Sequence, residues 1–127
     1  PVDLYHQRYK EYFDKYNLYT IFLITPQTPQ DRIRYIDSVS SGFIYMVSSA
    51  SVTGAQHTFG SSQEAYFSRI AKMQLRTPQV VGFGISNAEA YRAATRFSRG
   101  AIIGSAFINF LKKKGVNAIP DFIKSIR

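Results

Sequence analysis

Residues 80–86, VVGFGIS, and residues 101–108, AIIGSAFI, decide the fold. Each is an apolar run that empties into glycine and a small hydroxyl residue, then restarts with a helical pattern. Ser86 lies three residues before Glu89, a capping-box spacing that predicts a helix start. Gly84 and Gly104 carry no Cβ, so a ligand can approach the backbone closely. A helix opening at Ser105 points unpaired N–H groups at the same space. Two such strand–glycine–helix junctions on parallel neighbours make an anion cradle suited to a phosphate. Either glycine alone would as readily be a strand terminator.

Outward from these junctions the chain alternates strictly. A helix is expected over roughly 4–16, then a strand at 20–25, TIFLIT. Thr28 is placed to cap the next helix, with Pro29 at its first position and Ile33, Ile36 and Val39 facing inward. A strand at 42–47 leads into a polar, small-residue stretch at 48–62, the only long loop expected. Ser61 with Glu64 opens a helix to about residue 73, with Tyr66, Ile70 and Met73 on its inner side. Strands near 79–83 and 100–104 flank a helix whose Ala90, Ala93 and Ala94 allow close approach to a sheet. A helical hairpin at 105–114 and 120–126 closes the pattern, with Gly115 as terminator. Near-continuous apolar strands separated by helices mean α/β architecture, with a parallel sheet covered on its helical face.

Composition narrows the function classes. The 127 residues suit one domain but are short for an eight-stranded barrel of roughly 250 residues. There is no run apolar enough to span a bilayer, so no membrane role is expected. The lack of cysteine excludes disulfide and thiolate chemistry and is compatible with a cytoplasmic location. No metal-ligand spacing surrounds His6 or His57. The net charge of +8 raises nucleic-acid binding, but its basic residues are scattered along helices. The one run, Lys112–Lys114, falls in a last helical turn, where positive charge suits the helix dipole. Tyr5, Tyr9, Tyr12, Phe13 and Tyr16 recur at helical spacing, read here as a packed face rather than a base-stacking platform.

Four βα units fit either a small doubly wound sheet or half of a barrel. Nothing matches GxGxxG with a downstream ribose-binding acid, which removes the usual dinucleotide reading. Barrel-type phosphate sites draw on the loops after the last two strands, where both glycine junctions fall. That favours the C-terminal half of a barrel.

The segments IFLITPQTPQDRI at 21–33, GFIYMVSSASVTGA at 42–55, VVGFGIS and AIIGSAFI together resemble the tryptophan synthase alpha chain family, across essentially all of the chain. VTGA combined with GFGIS and GSA carries the resemblance; any one alone would not. It implies a partial (β/α)8 TIM-barrel domain over 1–127, holding family strands five to eight, with strands one to four outside this sequence. It also implies retro-aldol cleavage of indole-3-glycerol phosphate to indole and glyceraldehyde 3-phosphate. No cofactor is expected in the alpha chain itself; pyridoxal phosphate belongs to the beta chain that partners it.

The family's catalytic glutamate and aspartate belong to the N-terminal half, so no catalytic residue is expected here. The resemblance makes Tyr45 and Thr53 supports of that aspartate, and Phe83 the aromatic against the indole. Gly54, Gly84, Gly104 and Ser105 correspond to the phosphate group, while Gly82 is assigned to strand geometry. Read without the resemblance, Tyr45 and Phe83 are as well explained by packing, and Thr53 and Gly54 as loop residues. Ser49 stands where the family often has arginine, which leaves the closed loop less anchored. The loop at 48–60 is therefore expected open or poorly restrained. An open half barrel exposes two strand edges and an apolar face, so self-association or a complementary N-terminal half is expected. Another phosphate-binding barrel enzyme and a non-enzymatic α/β binding module remain alternatives, and nucleic-acid recruitment a third that would require the scattered charges to converge into one patch.

Overall fold

The computed structural model describes residues 1–48 and 60–127. Four strands, β1 (Phe22–Ile24), β2 (Ile44–Val47), β3 (Gln79–Gly82) and β4 (Gly100–Ala101), form one sheet in the order β1-β2-β3-β4. Every pairing is parallel. Helices α3 (Gln30–Val39), α4 (Ser61–Lys72) and α5 (Ala88–Thr95) link successive strands, and α6 (Ser105–Lys114) and α7 (Ile119–Ile126) follow β4. This is the expected half-barrel alternation of strand and helix. The strands are shorter than expected, β1 at both ends, β2 at its start, and β3 and β4 at their carboxyl ends. Gly42 instead donates its N–H to Thr20 O across the bottom of the sheet, and Phe83 turns out of β3.

Side-chain alternation divides the sheet into two faces. Ile24, Met46 and Val81 stand in register on the helical face, all fully buried. Ile33 and Ile36 of α3, Tyr66, Phe67 and Ile70 of α4, and Ala90 and Ala94 of α5 close over them. Burying such side chains contributes about 1.5–3 kcal/mol each, so this face holds the fold together. The opposite face has Leu23, Tyr45 and Val80 in register. Leu23 is 56% exposed and Ile21 48%. The inner surface of the half barrel is uncovered along the β1 side.

The first helical stretch runs as α1 (Val2–Leu4), a π-helical segment Tyr5–Tyr9, and α2 (Lys10–Lys15). It corrects the aromatic stripe. Tyr5 is buried and meets Phe13 and Phe22 edge-on at 5.2 and 5.3 Å, but Tyr9, Tyr12 and Tyr16 are exposed. The π segment widens the turn, so residues after it leave the phase that an unbroken 3.6-residue repeat would give.

Two expected caps change, while α4 opens at Ser61 as expected. Asn87, not Ser86, caps α5, its side chain accepting from Ala90 N at 2.8 Å. Thr28 does not cap α3, because its hydroxyl accepts the Thr25 N–H at 2.9 Å, and Pro29 takes the cap position with extended backbone. Gly60 caps α4, and Ser61 is its first residue. Gly115 ends α6 with φ +75°, as expected of a glycine terminator.

Candidate functional site

The carboxyl ends of the strands gather most of the singled-out residues on one edge. Tyr45 projects from β2 onto the inner face, where its ring lies against Gly82 of β3. A Cβ at Gly82 would overlap the Tyr45 hydroxyl and ring. Gly82 is therefore needed for close approach of a side chain, a more specific reason than strand geometry. Desolvation raises the Tyr45 phenol above its ordinary pKa, so it stands as a neutral hydrogen-bonding group.

Beyond Gly82 the chain adopts left-handed backbone twice in succession, at Phe83 (φ +68°) and Gly84 (φ +75°). A bulky residue with positive φ is a conformational outlier. The turn leaves the Phe83 ring 53% exposed and edge-on to Tyr45, with centroids 5.9 Å apart and planes at 64°. Its conformation is tied down from β2: the Ser48 N–H donates to Gly82 O at 3.1 Å and the Ser48 hydroxyl to Phe83 O at 2.6 Å.

Just after β4, Ile102 N donates to Val81 O at 2.8 Å, keeping the chain beside β3 as it runs to Gly104. Gly104 is the N-cap of α6, with Ser105 its first residue and no side-chain cap. The first-turn N–H groups of α6 thus lack an intrahelical acceptor, as at any helix start. A Cβ at Gly104 would meet nothing within 4 Å, so the approach to this end is open. The structure brings Tyr45 and Phe83 into contact and sets Gly84, Gly104 and Ser105 after adjacent parallel strands. Thr53, Gly54, Ser49 and His57 lie outside the described residues, as does most of the 48–60 loop.

All eight Asp and Glu residues lie in helices and none at a strand's carboxyl end. Asp37, at the end of α3, accepts the Arg76 and Thr77 N–H groups at 3.0 and 2.8 Å, at the opposite edge of the sheet. No group of three or more metal-ligating side chains occurs among the described residues, nor any helix long and apolar enough to cross a membrane. Sequence reasoning missed Ser48 and the left-handed Phe83. Nothing in a serine after an apolar strand signals a tether, and no spacing marks a strained phenylalanine.

The family model for the tryptophan synthase alpha chain matches residues 2–124. The chain belongs to the tryptophan synthase alpha chain family. It is 59% identical over 127 residues to the alpha chain of Flavobacterium johnsoniae, and 54% over 127 residues to that of Christiangramia forsetii. Each match covers 100% of this chain and 50% of the relative. The chain thus spans about half the length of the curated alpha chains it matches. Among solved structures it resembles tryptophan synthase subunit alpha from Campylobacter jejuni, with TM-score 0.80 and 26% identity, covering 100% of this chain and 50% of that one. The A-subunit from Pyrococcus furiosus matches with TM-score 0.75 and 28% identity, covering 99% and 50%. The half-length coverage agrees with a sheet that stops at four strands.

Proposed function

We propose that residues 1–127 are the C-terminal half of a tryptophan synthase alpha chain barrel, supplying family strands five to eight. The whole barrel cleaves indole-3-glycerol phosphate to indole and glyceraldehyde 3-phosphate. In that retro-aldol step the bond from the indole ring to the glycerol chain breaks, a proton goes to the ring carbon, and a base takes the glycerol hydroxyl proton as the aldehyde forms. The observation that carries the reading is the Tyr45–Phe83 ring contact set beside the left-handed Gly84 turn.

Each part has a task. The Phe83 ring packs on the indole, and the Tyr45 hydroxyl supports the aspartate contributed by the N-terminal half. Backbone N–H groups at Gly84, Gly104 and Ser105 take the phosphate, and the start of α6 adds a favourable dipole interaction of roughly 0.3–1 kcal/mol. By the same resemblance Thr53 supports that aspartate and Gly54 belongs to the phosphate group; both lie outside the described residues. Acid and base come from elsewhere, because no carboxylate of this half stands at a strand end. This polypeptide alone is therefore inactive.

The indole formed passes to a beta chain partner, which carries the pyridoxal phosphate. Every lysine of this half lies in a helix, so none stands at the strand ends to form a Schiff base with that group. The uncovered inner face and the unpaired edges of β1 and β4 call for a complementary N-terminal half, or self-association in its absence. The test is Gly84→Val in a barrel restored with an N-terminal half. A branched side chain is strained at φ +75° and blocks the amide, so KM for indole-3-glycerol phosphate should rise at least about ten-fold. An unchanged KM would overturn the phosphate assignment.

A further inference from the structure

We propose that Ser48 is a positioning residue of this site, whose buried hydroxyl holds Phe83 and Gly84 in the left-handed turn that aims the ring and the Gly84 amide. The use made of that turn rests on the phosphate reading given above. Ser48 follows the last residue of β2 and is 1% exposed. Its hydroxyl reaches the neighbouring connection, 35 residues on, and donates to Phe83 O at 2.6 Å. It also lies beneath the second residue of the turn. A Cβ at Gly84 would have Ser48 Oγ as its neighbour at 4.0 Å.

Phenylalanine has no intrinsic reason to remain at φ +68°, since its Cβ crowds the backbone there and only glycine, asparagine and aspartate visit the region readily. An untethered Phe83 relaxes toward extended backbone. That rotation swings its carbonyl away from Ser48, carries the ring off Tyr45 and turns the next N–H, that of Gly84, out of the cradle. The hydrogen bond from Ser48 therefore stands between a strained backbone and its relaxed state, the arrangement expected where strain is retained for use. Serine is small enough for the packed position behind the turn and still brings a donor. Alanine would fill the same space without the tether.

The test uses an eight-stranded barrel in which residues 1–127 supply the second half, with inorganic phosphate as the probe. Two readouts are followed by NMR: the Phe83 Cα and Cβ shifts, which report backbone conformation, and the Gly84 amide during phosphate titration. In Ser48→Ala the Phe83 shifts should move toward extended values. Phosphate affinity should fall about ten-fold, in proportion to the lost population of the competent turn. Phe83→Asn is the strain-relieved background, because asparagine tolerates left-handed backbone. There, adding Ser48→Ala should change phosphate affinity by less than about two-fold, since the turn no longer needs its tether. Unchanged shifts and affinity in Ser48→Ala overturn the proposal. So does an equal loss in the Phe83→Asn background, which a merely structural serine would give. Shifts that move while the unsubstituted barrel takes up no phosphate support the tether and overturn the phosphate reading.

Discussion

The ring of Tyr45 occupies the space that a Cβ on Gly82 would need. The two residues lie on adjacent parallel strands, Gly82 paired with Val47, so the tyrosine leans across the inner face to reach the glycine. Gly82→Ala must push the ring aside. In the open half the ring can swing toward solvent, and thermal unfolding should change little. In a closed barrel the interior is filled, and overpacking should cost about 1–3 kcal/mol. The added variant Tyr45→Leu should recover that stability but not the activity, which unfolding curves and indole assays would separate.

Asn87 caps α5 where the sequence pointed to Ser86. Asn87→Ala should destabilise by about 1 kcal/mol, and Ser86→Ala by no more than a few tenths. Chemical denaturation of both variants checks this; the reverse order would restore the capping-box reading.

Asp37 joins the end of α3 to the turn before β3. Partial burial disfavours its charge, but hydrogen bonds from Thr77 and Arg76 and the Arg76 charge outweigh that, and its pKa lies below the ordinary value. A carboxyl depressed on folding stabilises the protein above its unfolded pKa of about 3.9, and the contribution is lost as pH falls through the folded value. Stability should therefore drop on acidification below about pH 4, more steeply than in Asp37→Asn. The substitution itself should cost about 1 kcal/mol at neutral pH, a modest value because the group is only partly buried. Unfolding midpoints from pH 2.5 to 7 test both statements.

Helix α4 fastens the β1–α3 connection at the site edge. Arg69 donates to Pro26 O at 3.0 Å and to Thr28 O at 3.5 Å, and the Tyr66 hydroxyl donates to Ile24 O at 3.2 Å. Burial pushes the Tyr66 phenol well above the usual tyrosine range, so it remains a donor at any physiological pH. Tyr66→Phe should cost about 1 kcal/mol, and Arg69→Met somewhat more, with faster exchange of the Thr25, Gln27 and Thr28 amides. No change in exchange there would show that the connection is fastened by its own Thr25–Thr28 contacts.

The alternation of strands and helices and the helical face were legible because they rest on apolar periodicity. Ile33 with Ile36, and Tyr66 with Ile70, face the sheet as their spacing requires. The glycine junctions were legible because a missing Cβ after a strand has few uses. What was not legible depends on local geometry settled by neighbours. Thr28 could cap a helix or close a turn with Thr25, and only the fold chose the second. Tyr9, Tyr12 and Tyr16 read as buried until the π segment shifted their phase. The strained Phe83 and the serine that holds it come from strands 35 residues apart, beyond any local pattern.

The central claim is a division of labour: residues 1–127 bind, and an N-terminal half supplies acid and base. Indole release from indole-3-glycerol phosphate tests it most directly, measured for the purified polypeptide alone and again with a tryptophan synthase alpha chain N-terminal half. The account predicts no release above the uncatalysed background from the polypeptide alone, and clear release once the barrel is restored. Substantial release by residues 1–127 alone would contradict it.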